Sequence, residues 1–104
     1  MGSTDNLSVT VSDGDPVTVK AAGQIDTYTA VALDETLLGV GEQRTLTIDL
    51  SGVTFIDSSG LRVLVRADKR HQTGGGSLRL ANPSQPVVRL LQITGLESTL
   101  TIVT

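Results

Sequence analysis

With 104 residues and a formal net charge of -3, the chain has room for one domain and lacks the basic surplus of a nucleic-acid-binding surface. It contains no cysteine, which excludes a disulfide framework, a thiolate metal site and thiol redox chemistry, and points to a reducing, cytoplasmic compartment. Aromatic residues are reduced to Tyr28 and Phe55, so the core must be aliphatic and no stacking platform for nucleic-acid bases is available.

Residues 1–6, Met1-Gly2-Ser3-Thr4-Asp5-Asn6, are polar and acidic and read as a flexible lead rather than a secretory signal. Asn6 stands where a myristoylation signal wants Ser or Thr, and no apolar run approaches the roughly 20 residues of a membrane span. No membrane partner is expected. Leu7, Val9 and Val11 then alternate with Ser8, Thr10 and Ser12, the period-two pattern of a strand with one wet face. Asp13-Gly14-Asp15 supplies a turn, and a second alternating run through Val17, Val19 and Ala21 closes a hairpin.

After Gly23-Gln24-Ile25-Asp26 the period changes. Ala30, Leu33 and Leu37 recur at helical spacing, with Asp26 or Thr27 as the expected N-cap and Gly39 or Gly41 as the stop. Leu46, Ile48 and Leu50 form a third strand, and Val53, Phe55 and Ile56 lead from it into Asp57-Ser58-Ser59-Gly60-Leu61. A second helix starts at Ser58 or Ser59 and runs to about Gln72. Leu61, Leu64, Val65 and Ala67 form its apolar side, with Arg62, Arg66, Lys69 and Arg70 around the rest. His71 is expected exposed at its end, and Gly74 to Gly76 stop it. Leu78 and Leu80 mark a fourth strand. Asn82-Pro83-Ser84 caps a third helix with Val87, Leu90 and Leu91 inward, Gly95 ends it, and Thr99 to Val103 is the fifth strand. The sum is an α/β fold, an open mixed sheet of about five strands with an N-terminal hairpin and helices mainly on one side, spanning residues 7–104.

Strand ends that feed helices are where open α/β sheets place functional groups, which singles out Asp57 to Gly60. Two adjacent hydroxyls there sit at a helix N-terminus, a position hospitable to phosphate. The same residues have a plainer reading, because Asp and Ser are preferred N-caps. Arg62 could reach a phosphate on Ser58 along the helix face or simply be a solvated charge, and Asp26 could cap the first helix or contact a partner. Asp49, opposite Ile48 in the alternation, belongs to the polar sheet face, exposed or locally hydrogen-bonded.

Leu46 to Leu61, LTIDLSGVTFIDSSGL, resembles the signature of bacterial anti-sigma factor antagonists of the STAS domain family. Gly23-Gln24-Ile25-Asp26 with Thr29-Ala30, and the turn Gly74 to Gly76, stand at matching places, so the resemblance covers Leu7 to Val103. It implies a single STAS domain that switches partners. In that family the unphosphorylated protein binds an anti-sigma factor, itself a serine kinase of the histidine-kinase-like ATPase superfamily. Phosphorylation of the first serine after the aspartate, here Ser58, ends the interaction, and a serine phosphatase reverses it. Ser59 is the neighbour that helps cap and position the turn. The implied partner surface comprises Asp26, Thr27, Asp57, Ser58, Ser59, Gly60, Leu61 and Arg62. Two departures stand out. Gln24 replaces a frequent Glu, and the sequence given stops at Thr104 where many members continue into a helix, so no contact through that helix is assigned.

No enzyme is expected. The one histidine, His71, follows Ser59 by twelve positions on the same helix, about 18 Å along its axis, so no Ser–His dyad can form. Gly74 to Gly76 lacks the Gly-Lys-Ser/Thr ending of a phosphate loop, metal ligands do not cluster, and no cofactor is expected. The competing reading is a regulatory STAS module that binds a nucleotide or small anion, or a scaffold in a stress-sensing or transporter complex.

Overall fold

The alternations become strands and the helical spacings become helices in the expected order. The computed structural model describes residues 2–3 and 6–103. Its elements are β1 (Gly2–Ser3), β2 (Leu7–Ser12), β3 (Val17–Ile25), α1 (Ala30–Leu38), β4 (Thr45–Ile56), α2 (Ser58–Thr73), β5 (Ser77–Ala81), α3 (Gln85–Thr94), a 3-10 turn (Leu96–Ser98) and β6 (Ile102–Val103). They form a six-stranded sheet in the order β1-β2-β3-β4-β5-β6. The first three strands are antiparallel, and β3 to β6 are parallel. The sixth strand beyond the expected five is β1, a two-residue pairing of Gly2 and Ser3 with Val9 and Ser8.

Because the parallel strands follow one another in order, right-handed crossovers place α1, α2 and α3 on the same sheet face. Val19, Ala21, Ile48, Leu50 and Leu80 line that face and are buried with Leu33 and Leu37 of α1, Leu61, Leu64 and Ala67 of α2, and Val87 and Leu91 of α3. Parallel strands are usually covered on both faces. Here the second face stays open because it is polar: Thr18, Thr47 and Arg79 lie in register across it, as do Lys20 and Asp49. Arg79 Nε donates to Thr47 Oγ1 at 2.9 Å, and Asp49 Oδ1 accepts from the Ser51 amide at 2.9 Å. That amide holds the Asp49 carboxyl below its ordinary value.

Three expectations need correction. The strand expected over Leu46–Leu50 continues to Ile56. Its pairing with β3 slips by one residue between Lys20 and Ala22 and again between Gly23 and Gln24, each time with the extra residue on β4. The buried positions therefore step from Leu50 to Val53 to Ile56, a spacing of three that hides the strand from a period-two reading. The fifth strand is also shorter than expected. Leu96–Ser98 forms a 3-10 turn, the Thr99 and Leu100 amides bond back to the Leu96 carbonyl, and only Ile102–Val103 pair with β5.

His71, expected exposed, is fully buried, and its Nδ1 lies 3.0 Å from the Arg44 carbonyl oxygen. It is four residues past Ala67 and seven past Leu64, so helical geometry carries it onto the apolar stripe whatever its polarity. Asp68 is buried beside it, bonded by Gln72 Nε2 at 2.8 Å, and burial raises its carboxyl above the ordinary value. Asp26, by contrast, caps the turn that opens α1 as expected: its carboxylate accepts from the Tyr28 and Thr29 amides and its carbonyl from the Ala30 amide at 2.8 Å, while Thr29, just before the first regular helical residue, makes no side-chain cap bond.

Candidate functional site

β3 and β4 are parallel neighbours that end in register, Ile25 beside Ile56, and each is followed by an aspartate. Their two outgoing turns thus lie side by side at the carboxyl end of the sheet. Two long-range hydrogen bonds join them: the Asp57 amide donates to the Ile25 carbonyl at 3.1 Å, and the Thr27 and Ser59 hydroxyls lie 3.0 Å apart.

In the first turn, Asp26 Oδ1 accepts from the amides of Tyr28 (3.0 Å) and Thr29 (2.9 Å). The buried Thr29 hydroxyl donates to the Gln24 carbonyl at 2.7 Å, and the Asp26 amide lies 2.9 Å from it. The Thr29 amide, above all, holds the Asp26 carboxyl below its ordinary value. The folded state therefore holds this proton less tightly than the unfolded chain. The stability it contributes is present above the unfolded carboxylate value and is lost as pH falls through the lower, folded one. Asp26→Asn should make the loss of stability below about pH 4 shallower. Urea midpoints measured from pH 6 to pH 2.5 check this, and parallel profiles for the two proteins would contradict it.

In the second turn, Asp57 is the N-cap of α2 in extended conformation, and its Oδ1 accepts from the amides of Ser59 (2.9 Å) and Gly60 (3.2 Å). The Leu61 amide bonds to the Asp57 carbonyl at 3.1 Å. The plain capping reading is therefore correct for Asp57. Asp57→Ala should cost about 1 kcal/mol of stability, whereas Asp57→Asn, an equally good cap, should cost only a few tenths. Denaturant titrations of both variants measure the difference; equal losses would mean that charge rather than the cap is what counts.

The remaining residues fall into three groups. Ser58 is exposed, and its hydroxyl has no partner among the described residues, while Ser59 is half-buried with its hydroxyl on Thr27. Gly60 and Leu61 are buried, Leu61 only 5 % exposed, so they lie beneath the expected partner surface as packing rather than contact. Arg62 is exposed and makes no hydrogen bond or ion pair among the described residues. It lines a groove of about 200 Å³ between α1 and α2 with Thr27, Asp34, Ser59 and Arg66. Arg66 pairs there with Asp34 at 3.6 Å.

Sequence reasoning missed the outer face of α1. Tyr28 is 80 % exposed, and Val31 and Leu38 are exposed along the same side, next to Thr27. Tyr28 and Val31 line a shallow groove with Thr27, Ala32 and Glu35. The available signal was a second apolar stripe at positions 28, 31 and 38, offset from the core stripe of Ala30, Leu33 and Leu37. Among the described residues no three His, Asp or Glu gather as a metal site, and no helix is long and apolar enough to cross a membrane.

The sequence matches the STAS domain family over residues 6–104. It is 41 % identical to an anti-sigma-B factor antagonist of Bacillus subtilis, over 93 % of this chain and 89 % of that protein. It is 38 % identical to an anti-sigma-B factor antagonist of Listeria monocytogenes, over the same shares of each. Among solved structures, an anti-sigma factor antagonist from Mycobacterium paratuberculosis superposes with a TM-score of 0.84 at 28 % identity, covering 99 % of this chain and 90 % of that one.

Proposed function

The chain belongs to the STAS domain family, and from that membership we propose that it is an anti-sigma factor antagonist whose binding is switched off by phosphorylation at Ser58. The names of its relatives support the antagonist role. In this reading the unmodified protein holds an anti-sigma factor serine kinase against the paired turns. Asp26, Thr27, Asp57, Ser58, Ser59 and Arg62 face the partner, and Gly60 and Leu61 hold the turn from below. The kinase transfers phosphate to Ser58, the complex dissociates, and a serine phosphatase restores the binding form. The protein acts in the cytoplasm by association and not by catalysis.

The observation that carries the reading is the contrast between the two serines. Ser58 presents an exposed, unengaged hydroxyl directly after the capping aspartate, while the Ser59 hydroxyl is half-buried and held by Thr27. A kinase must reach a free hydroxyl, and only Ser58 offers one in this turn. Phosphate brings about -1.5 to -2 charges. Asp57 already places a carboxylate on the Ser59 and Gly60 amides, so the modified turn becomes doubly anionic where the partner must dock.

Incubation with the anti-sigma kinase of its own host and ATP, followed by phosphopeptide mapping, tests the assignment. Phosphate on Ser58 with Ser59 unmodified is expected. Phosphate on Ser59 alone, or no transfer to either serine, overturns it.

A further inference from the structure

We propose that Arg62 is the clamp for the Ser58 phosphate: it turns onto the modified side chain and holds it against the first turn of α2. The inference rests on the reading of Ser58 as phosphoacceptor and concerns what the modified protein does with the added charge.

A phosphate at the start of a helix ordinarily gains from free backbone amides there. In this helix three of those donors are already used. The Ser59 and Gly60 amides donate to the Asp57 carboxylate, and the Leu61 amide bonds to the Asp57 carbonyl. A phosphate on Ser58 is left with the amide of its own residue, and its counter-charge must come from a side chain.

The cations available are few. Arg44 pairs with Asp13 and bonds the Gly14 carbonyl at the other end of the molecule, and Arg79 is bonded to Thr47 on the open sheet face. Lys20 lies opposite Asp49 on that same face. Arg66 is held by Asp34, Lys69 and Arg70 belong to the last turns of α2, and Arg89 stands on α3 in a groove with Phe55 and Ile56 rather than on the face of α2.

Arg62 differs from all of these. It is four residues beyond Ser58, a spacing that puts both on one helix face about 6 Å apart along the axis. Helical side chains lean toward the N-terminus, so the Arg62 side chain extends toward the first turn of α2, which carries Ser58 and Ser59. Its position in the groove with Thr27 and Ser59 agrees with that direction. It has no competing partner among the described residues, because the nearest carboxylate in the groove, Asp34, is engaged by Arg66. A guanidinium suits this task, since its planar fork can donate two hydrogen bonds to one phosphate. Arg62 is therefore a positioning residue for the phosphate in the modified state, and in the unmodified one its guanidinium is free to face the partner.

Phosphoserine encoded genetically at position 58 of the full chain makes the test independent of any kinase, so failure of the phosphoacceptor reading and failure of the clamp give separate results. The second ionisation of the phosphate, ordinarily near pH 6, is followed by phosphorus NMR. With Arg62 present it should lie lower than in Arg62→Gln by about half a pH unit, roughly a three-fold change in proton affinity. Arg62→Lys should restore part of the shift, and Arg89→Gln, which removes a cation on another helix without a partner among the described residues, should leave it unchanged. Identical titrations with and without Arg62, or an equal shift for Arg89→Gln, would overturn the proposal.

Discussion

Ser58→Asp should bind the anti-sigma factor on the order of 30- to 150-fold more weakly than the unmodified chain, a loss of about 2–3 kcal/mol, whereas Ser58→Ala should bind undiminished and be insensitive to the kinase. The Ser59 and Gly60 amides, which could have compensated a new carboxylate, are committed to Asp57. A second anion one residue away must be desolvated unpaired when a partner covers the turn. Truncated or unpaired charges in interfaces cost about 2–5 kcal/mol, of which an exposed Arg62 returns about 1 kcal/mol at most. Ser58 is exposed, so both variants should keep their stability within about 0.5 kcal/mol. Calorimetry with the cognate partner, beside thermal melts of each variant, measures both quantities. A folded Ser58→Asp protein with unmodified affinity would refute the switch.

Gly60→Val should be among the most damaging single substitutions at the site, although residue 60 never reaches the surface. A Cβ at this position would come within 2.6 Å of Ile25 Cγ2 and 3.0 Å of Ile56 Cγ1. Both isoleucines are core residues at the ends of β3 and β4, with little freedom to retreat. Overpacking of this kind costs about 1–3 kcal/mol for added methylenes, and the branched side chain puts valine at the upper end or beyond. A loss of about 3 kcal/mol corresponds to a fall in Tm of at least about 12 °C for a domain of this size. Gly75→Ala separates packing from backbone effects. Its φ of +92° disfavours a side chain, yet a Cβ there meets nothing within 4 Å, so it should cost only about 1–2 kcal/mol. The absence of glycine's side chain at residue 60 is what lets α2 start hard against the strand ends and brings Ser59 within hydrogen-bonding distance of Thr27.

The order of strands and helices was legible because alternation and helical spacing are written into consecutive residues. Leu7 to Val11, Val17 to Ala21 and Leu46 to Leu50 needed only a period of two, and α2 needed only its stripe and its glycine stop. The expectations that failed share a cause. β4 beyond Leu50 carries two bulges, whose existence depends on pairing with β3 and not on its own residues. His71 was judged by its polarity, while its helical position assigned it to the core.

At the site the division is the same. Asp57-Ser58-Ser59-Gly60-Leu61 between a strand and an amphipathic helix was enough, by itself, to identify the turn, its capping aspartate and the two candidate serines. Such features arise from interactions within three or four residues, and local sequence contains them whole. Which serine is free, which amides remain for an anion, and which cation stands idle were decided only by tertiary structure. Ser59 is engaged because Thr27, thirty-two positions earlier, is delivered beside it by the parallel pairing of β3 and β4. Arg62 is unpaired because Asp34 of another helix takes Arg66 instead. Contacts across such distances depend on strand partner, register and helix packing, quantities fixed by the collapse of the whole chain and absent from any short stretch of it.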